Sequence, residues 1–484
     1  MRNAPPDVLE PYFPTVGERN LIRHYCSNST HLVMAVPASS SSLNPVLAIT
    51  IPIVLSLPSN FSPAVEALRV SLLGVGAVHL AFLHARPSSD SLSQSVSSHP
   101  QRTTELMSLA MSYRQRATLY LNEALQNPLD GFQDAALGAS VIIALIDIFS
   151  GGFGYIENLE LAKAVVNVRG GPANMITHST ARKTSVVNGT SANLSPPRLM
   201  TEMLVVYDTF ACFASGVEPV LLPPDDHSWW IVEPDEPTFH RWVVEKLFGL
   251  SREMLVLLAK VASLCARLSR VRRTETETLT PFAGFGDDGV LSPTASSNPN
   301  PDSNVAVQAG ALEVYNELGS WISPSRRKGI TPDAHHGVET NSVELEMSRH
   351  FQTLKCTQRV QTGNEAYRIA MQVLLLCDVL NVSPSDTHVQ TKCKSVLTSC
   401  LDCAQNFGMS VGLIWPVIIA GSLVPPSLRQ MVHDFYAKLR NHCCFDANTS
   451  EQIIEEVWRR TDQGLDRANW RSVIEDLNLK ILVF

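Results

Sequence analysis

The sequence predicts an all-α protein, a single large multi-helix domain joined by long disordered loops, and three observations predict it. Apolar residues recur at spacings of three and four through almost every segment between loops, the period of a helix with one buried face. Alternating strand patterns are scarce; only Lys480–Phe484 and parts of 46–57 fit one. Over 484 residues, 45% are hydrophobic and 17% charged, which supplies a large core and excludes a disordered chain.

Residues 1–20 are polar and proline-rich and read as a tail, with the helical body over 21–484. Ser62-Pro63 offers an N-cap and a first-turn proline, followed by an apolar run to Phe82. Leu106, Leu109, Ala110, Tyr113, Ala117, Tyr120, Leu121 and Ala124 form one stripe. Ala135 to Phe149 is apolar nearly all round, as in a fully buried helix. Leu159 to Val168 ends at Arg169-Gly170-Gly171-Pro172, where glycine can take a left-handed cap and proline stops the helix. Glu202–Phe213, Trp242–Leu268 and Ala366–Leu380 are further helices. Ser383-Pro384-Ser385-Asp386 starts another and Gly408 stops it. Pro425-Pro426-Ser427 opens the next, with Leu428, Met431, Val432, Phe435 and Leu439 facing inward. Ile453, Ile454, Val457 and Trp458 stripe a helix whose wet side carries Glu455–Arg459 and Glu456–Arg460 pairs. Trp470, Val473, Ile474 and Leu477 stripe the last. Segments near 86–101, 178–197 and 274–303 lack periodicity and read as loops within one body; Ser195-Pro196 and Ser292-Pro293 in them are weak phosphorylation signals.

Charge and cysteines narrow the function. Net charge is −8 and the isoelectric point about 6.0, a poor match to a chain gripping phosphate backbones. The basic cluster Arg267, Arg270, Arg272 and Arg273 reads as a helix C-terminus. The longest uncharged apolar runs, Val46–Leu57 and Gly412–Val424, are shorter than the ~20 residues of a spanning helix, so no membrane is expected. Ten scattered cysteines suggest reduced thiols. Cys393, Cys400 and Cys403 resemble a zinc site by spacing, but Val389, Val396, Leu397, Ala404 and Phe407 share their helical period, which points to core packing.

Gly284-Phe-Gly-Asp-Asp-Gly289 fits a dinucleotide string without the flanking strand and helix, and Asp287 and Asp288 would repel a pyrophosphate. Gly74-Val-Gly-Ala-Val-His79 sits inside a helix, where small residues permit close packing. His335-His336 beside Asp333 reads as solvated, and His79 as a hydrogen-bonded core residue. Asp147, a lone carboxylate in an apolar helix, needs a partner; Arg169, at the end of the following helix, is the expected one. No nucleophile–base–orienter set assembles in the sequence.

The ordered series of segments resembles the helical regulatory region of fungal binuclear zinc-cluster transcription factors, in the subgroup related to arginine-metabolism and acriflavine-sensitivity regulators. The matching pieces are Asn44-Pro45, LLGVGAVHLAFL, Ser112-Tyr113-Arg114, IIALIDIFSG, LELAKAVVNVRGGP, VVYDTFACFASG, NEAYRIAMQVLL, LIWPVIIAGSLVPPSLRQMV and EEVWRRTDQGLDRANWRSVIEDLNLKILVF. Together they cover about residues 21–484. The resemblance marks Asp147, Arg169, Gly170, Gly171, Trp415, Pro416, Gly421, Arg429, Trp458 and Trp470 as family-motif positions. It implies a nuclear regulator of RNA polymerase II genes, with a cytoplasmic pool allowed, that senses a small-molecule effector or a partner. Expected partners are the transcription machinery or another regulator, in a homo- or heterodimer. The departure is the zinc cluster: before residue 212 the chain has one cysteine, Cys26. Either the gene model has lost the cluster or this member lacks one. No cofactor is expected in this chain, zinc only with an N-terminal cluster, and no direct DNA contact. The alternatives are a stand-alone helical binding module of a biosynthetic pathway and an all-α enzyme using Asp147.

Overall fold

Thr15 and Glu18 form a reciprocal capping box, and the helix it starts, α1 (Val16–Ser27), begins inside the expected N-terminal tail. Asp7 pairs with Arg19 and Arg23 at 3.0 and 2.6 Å, and Phe13 is buried, so the stretch before the helix is tied to it. The computed structural model describes residues 7–36, 44–86, 99–127, 133–152, 154–181, 195–231, 238–279, 301–322, 343–407, 411–441, 443–479 and 481–482. Every regular element among them is helical.

Asn44 accepts from the amides of Val46 (2.9 Å) and Leu47 and starts α2 (Pro45–Val54), so the strand reading of 46–57 gives way to a helix. A helix closes its own backbone bonds in a segment with no strand neighbour. Ser62 caps α3 (Pro63–Ala85), buried from Ala64 through His79. By length and composition α3 could cross a bilayer, but 94% of its most apolar stretch is covered by protein. It packs most extensively against α4 (His99–Gln126) and then α5 (Asp134–Phe149), whose residues 135–149 are all buried. Of the α4 stripe, only Leu109 lies at the surface and Tyr120 is half-buried. Next come α6 (Tyr155–Val168), α7 (Gly171–Ala181) and α8 (Pro196–Ser215).

The expected single helix over 242–268 is two, α9 (Thr238–Phe248) and α10 (Arg252–Leu279), broken at Gly249 with φ +68°. Asn364 accepts from the Ser251 amide at 2.8 Å, and Arg359 donates to the carbonyls of Gly249 (3.3 Å) and Val411 (2.7 Å). These bonds fix the break from α12 (Val343–Leu374), which lies against it. The arginine cluster is not a helix end, because α10 runs on to Leu279. Three of its guanidiniums find partners elsewhere: Arg267 and Arg270 on Glu218, Arg272 on the Asp378 carbonyl at 2.9 Å. Between α10 and α12 comes α11 (Pro301–Ser320).

Asp386 caps α13 (Thr387–Asp402), which continues through one π-turn, Cys403–Phe407. Cys393, Cys400 and Cys403 are buried there as core side chains, and burial pushes the Cys393 thiol up to about 12. The remaining helices are α14 (Ile414–Gly421), α15 (Arg429–Leu439), α16 (Phe445–Asp462) and α17 (Trp470–Asp476). In α15, Val432, Phe435 and Leu439 are buried and Met431 half-buried, as is Leu428 just before the helix. Arg460 bonds Glu456 at 2.8 Å as expected; Arg459 also takes Glu456, at 2.6 Å, rather than Glu455, which leans toward His433. One hydrophobic core runs from Phe13 to Leu482.

Of the aperiodic segments, 87–98, 182–194 and 280–300 lie outside the described residues, while 99–101, 178–181, 196–197, 274–279 and 301–303 are helical. Gly284–Gly289, Ser292-Pro293, Asp333, His335-His336 and Gly408 also lie outside. Of the expected C-terminal strand, Ile481 and Leu482 are described and adopt no regular structure.

Candidate functional site

Asp147 sits in the last turn of the buried helix α5, and its partner is Arg114 of α4, not Arg169. The Arg114 guanidinium grips it through two bonds, from Nε to Oδ1 and from Nη2 to Oδ2 (2.9 Å), and Asn158 of α6 donates to Oδ2 at 3.2 Å. Burial pushes the Asp147 carboxyl up from its ordinary value, and Arg114 opposes that shift. Arg169 instead bonds Asp134 at 2.9 Å. The reason is antiparallel packing: α6 returns along α5, so its last residue meets the first turn of α5. Asp147, thirteen residues on, lies about 20 Å away along the helix. Gly170 and Gly171 follow with φ +94° and +84°, a left-handed pair that only glycine adopts cheaply. The sequence signal that could have found Arg114 is a long cation beside the apolar α4 stripe.

The C-terminal motif residues divide into three places. Trp415 is fully buried in α14, stacked on Tyr367 at 5.7 Å and 12°, with Phe213 at 4.9 Å. Pro416 lies in the first turn of that helix. Here aromatic packing fills the core. Gly421, Arg429 and Trp458 do come together. The Trp458 indole donates to the Gly421 carbonyl at 2.8 Å, and Arg429 lies 5.0 Å over its ring while bonding Asp462 twice at 2.6 Å. Trp470 stands apart under Arg471, whose guanidinium is 4.5 Å from its ring centre and bonds Asp378.

Beside Trp458, ligand atoms of His433, Glu451 and Glu455 lie within 4.8 Å of one another, a set that could hold a metal ion. Arg440 already pairs with Glu451 there. The six-cysteine zinc cluster of the resembling factors has no matching residues: Cys26 is alone before residue 212, and Cys393, Cys400 and Cys403 are closed into the core. Ser29 and His79 are 3.2 Å apart, but both are buried, His79 also meets His24 at 3.2 Å, and burial holds its imidazole down to about 4. Such a pair has no access to substrate. Sequence reasoning also missed a buried network in which Arg198 (2.9 Å) and Arg252 (2.7 Å) share Glu202, with Arg252 4.7 Å over Trp230.

Among the described residues, one concave surface lies along α10 and α11, bordered at one side by residues 224–231. Three stretches of about 510, 300 and 190 Å³ run along this seam. The first two share Leu264, Arg267 and Gly310; the last two share His227, Lys260 and Glu317. Its floor is apolar at both ends, through Leu264, Val271 and Val307 and through Val256, Leu257 and Trp321. Arg267 bonds Glu218 at 3.1 Å and Arg270 bonds the other oxygen of the same carboxylate.

Compared with known proteins, residues 20–484 match the family model described as the fungal specific transcription factor domain. No curated protein and no solved structure matches the chain.

Proposed function

Because the chain belongs to the fungal specific transcription factor domain family, we propose that it is the regulatory and effector domain of a zinc-cluster-type transcription regulator acting on RNA polymerase II genes. The observation that carries this is the family match over residues 20–484. The mechanism is conformational. The helical body binds an effector or a partner, and the difference in binding energy between two arrangements shifts which surface it displays to the transcription machinery. A homo- or heterodimer in the nucleus, with a cytoplasmic pool, is the working state.

Charge supports a protein-facing rather than a DNA-facing role. The net charge is −8, and in the basic cluster at 267–273 Arg267 and Arg270 pair with Glu218 while Arg272 bonds the Asp378 carbonyl. Asp147 supports the non-enzymatic reading, because both its oxygens are committed to Arg114 and Asn158.

The test is rapid depletion of the chain in its host, followed within minutes by sequencing of nascent RNA. A restricted set of genes should change synthesis rate before any metabolite pool does. Unchanged nascent transcription, or changes only after metabolite shifts, would overturn the proposal.

A further inference from the structure

We propose that His433 of α15, with Glu451 and Glu455 of α16, binds a divalent transition-metal ion of the zinc class, which ties the two helices together. The site would take its ion whether or not the chain acts on transcription.

Helix geometry places the three donors. Glu451 and Glu455 are four residues apart in α16, so their carboxylates stand on one face, a turn from each other. α15 packs against α16 and brings His433 to that face. Nδ1 of His433 lies 3.0 Å from Glu451 Oε1 and 3.9 Å from Glu455 Oε1, and all three ligand atoms lie within 4.8 Å of one another. Two donors of a tetrahedral zinc stand about 3.3 Å apart. The two measured distances bracket that value. Closing the set takes a small swing of Glu455, whose side chain is 51% exposed.

The surroundings prepare the donors. Glu451 is buried, its side chain 9% exposed, and Arg440 holds its Oε2 while Oε1 turns to His433. Carboxylates that ligate metals are commonly fixed in this way by an outer partner. Trp458 meets the His433 ring edge-on at 5.5 Å and sets its plane. Glu455 has an i+4 partner within reach in Arg459, yet Arg459 bonds Glu456 at 2.6 Å and Glu455 leans to the imidazole. Two carboxylates at i,i+4 repel each other. Arg440 offsets the charge of Glu451, and a bound cation offsets that of Glu455.

The donor chemistry selects the ion. One imidazole and two carboxylates, with no thiolate, suit Zn²⁺, Mn²⁺, Co²⁺ or Ni²⁺. Soft Cu⁺ prefers sulfur, and Ca²⁺ and Mg²⁺ prefer oxygen alone. Binding replaces the hydrogen bond between His433 and Glu451. The imidazole turns its Nδ1 lone pair to the ion, and its proton sits on Nε2.

The test titrates the purified full chain, stripped with a chelator and kept reduced, with Co²⁺ alone and then displaces the cobalt with Zn²⁺. One Co²⁺ should bind per chain, with the visible bands of nitrogen and oxygen ligation and without the thiolate charge-transfer band of a cysteine site. His433→Ala and Glu455→Gln should each weaken binding about tenfold or more. The two side chains are 40% and 51% exposed, so both variants should fold, which circular dichroism checks. Zn²⁺ should raise the melting temperature of the wild type by more than that of either variant. Three results would overturn the proposal: no saturable binding, unchanged affinity in either variant (an adventitious ion only), or a thiolate band.

Discussion

At Asp147 the two partners of one ion pair differ in exposure: its side chain is 2% exposed and that of Arg114 is 26%. Removing Arg114 strands a buried carboxylate, whereas removing the carboxylate leaves a guanidinium that can reach water. Arg114→Ala should therefore cost about 3 kcal/mol or more, and Asp147→Asn distinctly less, by urea denaturation at pH 7. Equal or reversed costs would contradict the assignment. His79 gives a pH dependence. Burial, with His24 beside it, holds its imidazole down to about 4 against an ordinary 6.5. As pH falls, the unfolded chain takes up this proton first. The stability that wild type holds relative to His79→Gln is then whole above pH 6.5 and is lost between 6.5 and about 4, on the order of 3 kcal/mol. Denaturation of both chains across that range checks it; a constant difference would contradict it. Arg86, His31 and His24 are the charges that face this ring, and each acts in the same direction.

Helices were readable from spacing, caps and breaks because periodicity and terminator chemistry are local. The stripes over Ala135–Phe149 and around Trp415 and Trp458 needed no tertiary knowledge. Which helix lies beside which is not local, and that is why Asp147 was given Arg169. Nearness in sequence suggested the following helix, but an antiparallel return puts its end at the wrong end of α5. The break at Gly249 was illegible for the same cause: it is fixed by Arg359 and Asn364, more than a hundred residues away in the chain. Gly363 lies at that contact. A β-carbon there would overlap the Gly249 carbonyl and the Arg359 guanidinium. Gly363→Ala should cost about 3 kcal/mol even though alanine favours helix, as a fall in melting temperature would report. A stabilised variant would show that α12 does not press on the break. Trp458→Phe keeps a ring under Arg429 but removes the donor to the Gly421 carbonyl, for a loss of about 1 kcal/mol.

Among the described residues, the core is continuous from the N-terminal helices to the last, and buried arginines such as Arg69 and Arg359 hold helices in place through backbone carbonyls. The groove between α10 and α11 could not be read from sequence, since its two walls carry separate apolar stripes. The fold class and the family were legible because they depend on the order of stripes over the entire chain. The central claim is that this body transmits to transcription rather than making bonds or reading DNA. The most direct measurement tethers residues 1–484 to an unrelated DNA-binding domain upstream of a reporter promoter in a fungal host. Reporter output should move at least several-fold, up or down, against the tether alone, and should depend on the tether's operator. Unchanged output from a stably expressed, folded fusion would contradict the account.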